Sequence, residues 1–180
     1  AKVADSAIPI LDQRGNIMDH RIEQLAKNLI TYSCNVQPGE HVLIAYEGAA
    51  ARPLVQQLIR CTYQAGGFPH VELRDAVITR EIMMGCKETQ LQAMVDYQLH
   101  QMKQMDAYIS VRGCENSSEL SDVPPQQQNL YNKILNPVLD YRVSHTKWVV
   151  LRYPNSAMTQ LAHTSQEAFE DFYFNVCNLD

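Results

Sequence analysis

Four short apolar runs constrain this chain more than anything else in it: HVLIAY at 41–46, PHVEL at 69–73, DAYISV at 106–111 and KWVVL at 147–151. Each has the length of a strand rather than a helix. The segments between them show helical spacing and are long enough to serve as crossovers between parallel strands. Alternation of this kind predicts an α/β fold in three layers: a mostly parallel sheet of at least four strands with helices on both faces, Rossmann- or flavodoxin-like. Right-handed crossovers follow as the default.

The helical segments carry their own signals. From Met18 onward Ile22, Leu25, Ala26, Leu29 and Ile30 recur on one face, with Asp19 placed to cap the first turn. Gln37-Pro38-Gly39-Glu40 reads as a turn. The next helix presents Leu54, Val55, Leu58, Ile59 and Cys61, takes Pro53 in its first turn and stops at Gly66-Gly67. Between Asp75 and Met105 the pattern gives two helical pieces broken near Gly85, the second striped by Leu91, Met94, Val95, Leu99 and Met102. A polar loop spans Ser117 to Pro125, and the helix after it is expected to break or restart at Pro137. Two helices close the chain. For the last, Thr164 and Glu167 read as a capping box, and Phe169, Phe172, Tyr173 and Val176 as the buried face. Trp148 is expected in the core with them.

Residues 18–180 thus read as one domain, of a size that buries a substantial core. Residues 1–17 show no period beyond a turn at Arg14-Gly15-Asn16 and read as an arm or an expression remnant. Fifteen Lys and Arg against twenty Asp and Glu give a net charge of -5 without a basic stripe, which argues against a nucleic-acid partner. The five cysteines are scattered and include no C-x-x-C pair, the pattern of reduced core thiols in a cytoplasmic protein. No apolar run is long enough for a signal peptide or a membrane span.

Chemistry is harder to find. A dinucleotide site needs several glycines after the first strand, and Glu47-Gly48-Ala49-Ala50-Ala51-Arg52-Pro53 supplies one. Neither G-x-G-x-x-G nor G-x-x-x-x-G-K-[ST] occurs, so the fold carries no nucleotide-binding fingerprint. His20, His41, His70, His100, His145 and His163 include no H-E-x-x-H or H-x-H pair and read as surface or edge residues. Cys114 lies just past the third strand, where a Cys/His couple can form, but no neighbouring pattern supplies its histidine. Glu115, Glu119 and Asp122 cluster on one loop and read as solvated rather than as a cation site. Trp148 with Tyr153 and Pro154 can be read as a binding platform, or more simply as packing. The residues alone give no catalytic, cofactor-binding or metal position.

The stretch W-x4-Y-P-N-x2-M-x-Q-x-A-x-x-S-x-E-x-F-E-D-F, Trp148 to Phe172, closely resembles the thermophilic metalloprotease family, the dinuclear-metal aminopeptidases typified by aminopeptidases T, S and II. Supporting matches run in the family's order. They are Leu25 and Tyr32, V-Q-P-G-E-H-V-L-I from Val36, Y-Q-A-G-G-F-P-H-V from Tyr63, and D-A-Y-I-S-V with Asn116 and Leu120 downstream. Thr159 departs from the family's usual alanine, and residues 1–17 look like an addition before its usual start.

The resemblance implies the N-terminal α/β domain of a longer, two-domain cytoplasmic enzyme that removes N-terminal residues from peptides. Its two divalent ions (zinc, cobalt, manganese or magnesium) and catalytic groups would lie in a C-terminal domain absent from this chain. No site residue is therefore carried onto this sequence. The implied partners are that catalytic domain, a second copy in a homodimer, and peptide substrate. A stand-alone flavodoxin-like module binding a nucleotide or flavin, and a pure interaction scaffold, are the alternatives.

Overall fold

The computed structural model describes residues 19–178; the arm expected over 1–17 lies outside them. Four strands form at the expected places: β1 His41–Glu47, β2 Phe68–Arg74, β3 Ala107–Arg112 and β4 Lys147–Arg152. They make one parallel sheet in the order β2-β1-β3-β4. The helices are α1 His20–Asn28, α2 Arg52–Gln64, α3 Ala76–Gly85, α4 Glu88–Met102, α5 Pro125–His145, α6 Ser156–Leu161 and α7 Gln166–Cys177.

The layering follows from chain direction. The step from β1 to β2 moves one way along the sheet, while the steps to β3 and β4 move the other way. Right-handed crossovers must then place α2 on one face and α3–α5 on the opposite face. Val42 and Ile44 pack with residues of α1, α2 and α7. Leu43 and Ala45 pack with Val95 and Met102 of α4 and Val138 of α5. The result is the three-layer α/β fold that the sequence predicts.

Local chemistry accounts for most helix boundaries. The Asp19 carboxylate accepts the Arg21 N–H at 2.9 Å and caps α1, which ends in a π-helical turn at Leu29–Ser33. Asp75 caps α3 by accepting from Val77 and Ile78. The break expected near Gly85 falls between α3 and α4. Pro137 breaks nothing: α5 runs unbroken from Pro125 to His145, with the proline on its exposed side. One lost backbone bond on a solvated face is tolerable in a helix of 21 residues docked along its length.

The C-terminal helix departs from expectation. Ser165, not Thr164, is the cap, and its hydroxyl accepts from Ala168 N–H at 3.3 Å. The buried ring is Phe174, at 2% exposure, whereas Phe172 is 64% and Val176 53% exposed. Tertiary partners select this stripe. Arg21 lies over the Phe174 ring at 4.8 Å and pairs with Asp171 at 2.5 Å, and Asn178 donates to the Arg21 carbonyl at 2.9 Å. Tyr153 and Tyr173 complete the aromatic nest around Phe174. Phe169 and Phe172 are left to pair with each other, centroids 6.5 Å apart. Trp148 is not core either: it lies at 46% exposure on β4, an edge strand with no further strand beside it among the described residues.

Phe174→Ala should therefore cost about 3–5 kcal/mol, and Phe172→Ala within about 0.5 kcal/mol, in urea denaturation. A larger loss for Phe172→Ala would mean that α7 is docked on its other face.

Candidate functional site

In an open parallel sheet, ligands bind beyond the strand C-termini where the strand order reverses, here between β1 and β3. That crevice is closed by backbone. Gly113 N–H donates to the Glu47 carbonyl at 2.8 Å, so the two loops are hydrogen-bonded together. Gly48 holds φ at +83°, and a Cβ there would lie 2.0 Å from the Gly113 carbonyl oxygen. Both glycines serve loop-to-loop contact, which leaves no phosphate cradle between them.

The residues singled out from sequence do not converge. Cys114 Sγ rests 3.2 Å from the Asn116 carbonyl, and burial raises its pKa, so it is a protonated thiol at neutral pH with no histidine to activate it. Asp122 is committed to a two-point pair with Arg80, and Glu119 accepts from the Asn116 amide at 2.7 Å. Tyr153 is buried at 7% exposure, its hydroxyl pushed up to about 12 by burial, and it forms no platform with exposed Trp148.

Two histidines do meet. His41 Nδ1 lies 2.8 Å from His70 Nε2, because His41 pairs with Phe68 and His70 follows two residues later on the same face of β2. Burial and its neighbour together push the His70 pKa down. The other four are dispersed: His20 beside Glu23, His145 on the Tyr141 carbonyl, and His100 and His163 exposed.

A concavity lies elsewhere, between β2 and the α3–α5 layer. It measures about 800 Å³ and is lined by Glu47, Glu72, Arg74, Asp75, Tyr131 and Arg142 among others. It exists because α4 packs over the central strands, leaving the polar face of edge strand β2 uncovered. Glu72 accepts from Arg74 at 2.9 Å. Burial raises the pKa of Glu47 despite the opposing fields of Arg112 and Arg74. Arg142 stacks over Tyr108 at 4.3 Å. None of these residues was singled out by sequence reasoning. The available signal was a charge ending each of two apolar strands, HVLIAYE and FPHVELR.

A family model described as thermophilic metalloprotease (M29) matches residues 18–180. The chain belongs to this family. No curated protein matches it. Among solved structures, wild-type AmpT from Thermus thermophilus matches with a TM-score of 0.66 at 17% identity. That match covers 88% of this chain and 43% of the AmpT chain, a likeness of fold that spans under half the length of the other protein.

The family is described as one of metalloproteases, which points to divalent metal ions. The residues here do not fit such a centre. Among the described residues, no group of three or more His, Cys, Asp or Glu could hold a metal. The His41–His70 pair is only two ligands with facing nitrogens, and two of the acidic loop's three carboxylates, Asp122 and Glu119, are engaged by Arg80 and Asn116. Dinuclear hydrolysis needs several ligands for each ion, aimed by supporting groups, and no step of that kind can be derived from the described residues.

Two outcomes follow. Gly48→Ala must displace backbone and should cost several-fold more stability than Gly39→Ala. Gly39 has a similar φ of +88° but open space around it, and should lose only about 1 kcal/mol. Chemical denaturation of both variants checks this. Glu47→Gln tests the buried carboxylate. A raised acid pKa penalises the ionised fold, so wild-type stability falls as pH rises through the ordinary glutamate range. The glutamine variant should be the more stable at neutral pH, with the advantage gone under acidic conditions where Glu47 is protonated in both states.

Proposed function

We propose that this chain is the non-catalytic N-terminal domain of a metal-dependent aminopeptidase, which removes N-terminal amino acids from peptides. The observation that carries the reading is the family match along 18–180 combined with coverage of only 43% of the AmpT chain. The parent's metal ions and catalytic groups would then belong to the region beyond the match, and this domain would wall the substrate chamber and support assembly as a homodimer. Its setting would be the cytoplasm, in keeping with reduced cysteines: all five are free of disulfides. No helix among the described residues is long and apolar enough to cross a membrane.

Exposed apolar side chains on the C-terminal helices support the assembly role. Leu161 at 71%, Phe172 at 64% and Val176 at 53% exposure lie on α6 and α7, within or next to the segment that most resembles the family. Large side chains left bare on neighbouring helices mark a surface to be covered, here by the rest of the parent or its second copy. A flavin- or nucleotide-binding module fits less well, because the crevice such ligands use is closed by Gly48 and Gly113.

The test is an assay on leucyl and arginyl chromogenic substrates with added cobalt, zinc, manganese or magnesium. The 180-residue chain should give no metal-dependent turnover, and a chain extended past Asp180 should give it. Turnover that copurifies with the short chain and disappears on mutating His41 and His70 would overturn the reading.

A further inference from the structure

The contact between His41 and His70 joins two strands at the open edge of the sheet. Strand β2 has β1 on one side and, among the described residues, no strand on the other. All of its residues are half-buried or exposed, so little packing holds it in place beyond its ladder with β1. The two imidazoles add a side-chain link across that ladder, with His41 Nδ1 and His70 Nε2 2.8 Å apart. Their ring centroids are 5.1 Å apart, so the nitrogens face each other along the line between the rings instead of converging on a third point. That is the geometry of a hydrogen bond rather than of two ligands aimed at one ion.

Such a bond needs one nitrogen to donate and the other to accept. Two neutral rings satisfy it, and so does one imidazolium facing one neutral ring. Two imidazolium rings do not, because two N–H groups of like charge then meet with no lone pair between them. The carboxylates on neighbouring elements already have partners. Glu40 is paired with Lys147 of β4, the Asp106 carboxylate accepts the His41 backbone N–H at 2.8 Å, and Glu72 of β2 is paired with Arg74 at 2.9 Å. From the helix layer, Lys103 lies over the Tyr141 ring, 6.0 Å from its centre, and His100 is exposed. The Phe68 ring, 5.2 Å from that of His41, adds no charge. Burial first, and the His41 charge second, push the His70 pKa down. A lowered folded pKa gives stability that is present above the ordinary histidine value and is lost as pH falls through the lowered one.

We propose that His41 and His70 form a proton-operated clasp, which holds edge strand β2 against β1 while at least one ring is neutral and releases it when both are protonated. The device belongs to the α/β domain itself and requires neither a metal ion nor the aminopeptidase reading.

NMR titration of the two imidazoles in the 180-residue chain, together with backbone hydrogen exchange, tests it between about pH 8 and about pH 5, across the ordinary histidine range. The rings should titrate as a coupled pair, the second proton entering at a distinctly lower pH than the first. Over the same range the protection of β2 amides, taken relative to amides of central strand β3 at each pH, should fall about tenfold or more. The ratio removes the pH dependence of the exchange chemistry itself. His41→Gln and His70→Gln should each make the ratio independent of pH, since an amide can share the contact without gaining a charge. Independent titration of the two rings, or a constant β2-to-β3 ratio in the unaltered chain, would overturn the proposal whether or not either variant folds.

Discussion

The fold depends on β1 being buried on both faces at once. Val42, Leu43, Ile44 and Ala45 are consecutive and each no more than 1% exposed. Alternate residues therefore serve two separate cores, one under α1, α2 and α7 and one under α4 and α5. Strand β3 repeats this, with Ala107, Ile109 and Val111 turned one way and Tyr108 the other. Only a central position in a parallel sheet meets that requirement, so β2 and β4 become edges. The exposed edges, the uncovered face of β2 and the cleft beside it all follow from which strands take the centre.

The same arrangement closes the usual ligand crevice. Adjacent strands β1 and β3 end side by side, and their following loops meet through Gly48 and Gly113 with no room for a side chain. In nucleotide-binding relatives of this architecture, glycines at that corner let backbone approach a phosphate. Here they let backbone approach backbone. The corner between Gly48 and Gly113 therefore offers no phosphate cradle, and architecture alone is a poor guide to activity.

Strands and their order of appearance were legible because short apolar runs separated by helical spacing leave few alternatives. Caps at Asp19 and Asp75 were available from the chain but only the first was read from it. The face of α7 was not legible. Its sequence offers two stripes, Phe169/Phe172/Val176 and Tyr173/Phe174/Cys177, and helical spacing cannot rank them. Arg21, more than a hundred residues earlier, decides by covering Phe174 and pairing with Asp171. Trp148 was misassigned because an edge strand and a central strand look alike locally. The cleft was invisible because Glu47, Arg74 and Arg142 come together only through sheet order and the docking of α5. The family resemblance at 148–172 was readable, and the match along 18–180 agrees with it.

Among the described residues of this metalloprotease-family α/β chain, no group of three or more His, Cys, Asp or Glu is placed to hold a metal ion. That claim turns on metal stoichiometry. Equilibrium dialysis of the chain against micromolar zinc or cobalt, read by elemental analysis, tests it most directly. The account predicts no tightly held ion, with any weak binding traceable to the His41–His70 pair. Retention of two ions per chain at that concentration, insensitive to removal of those histidines, would contradict it.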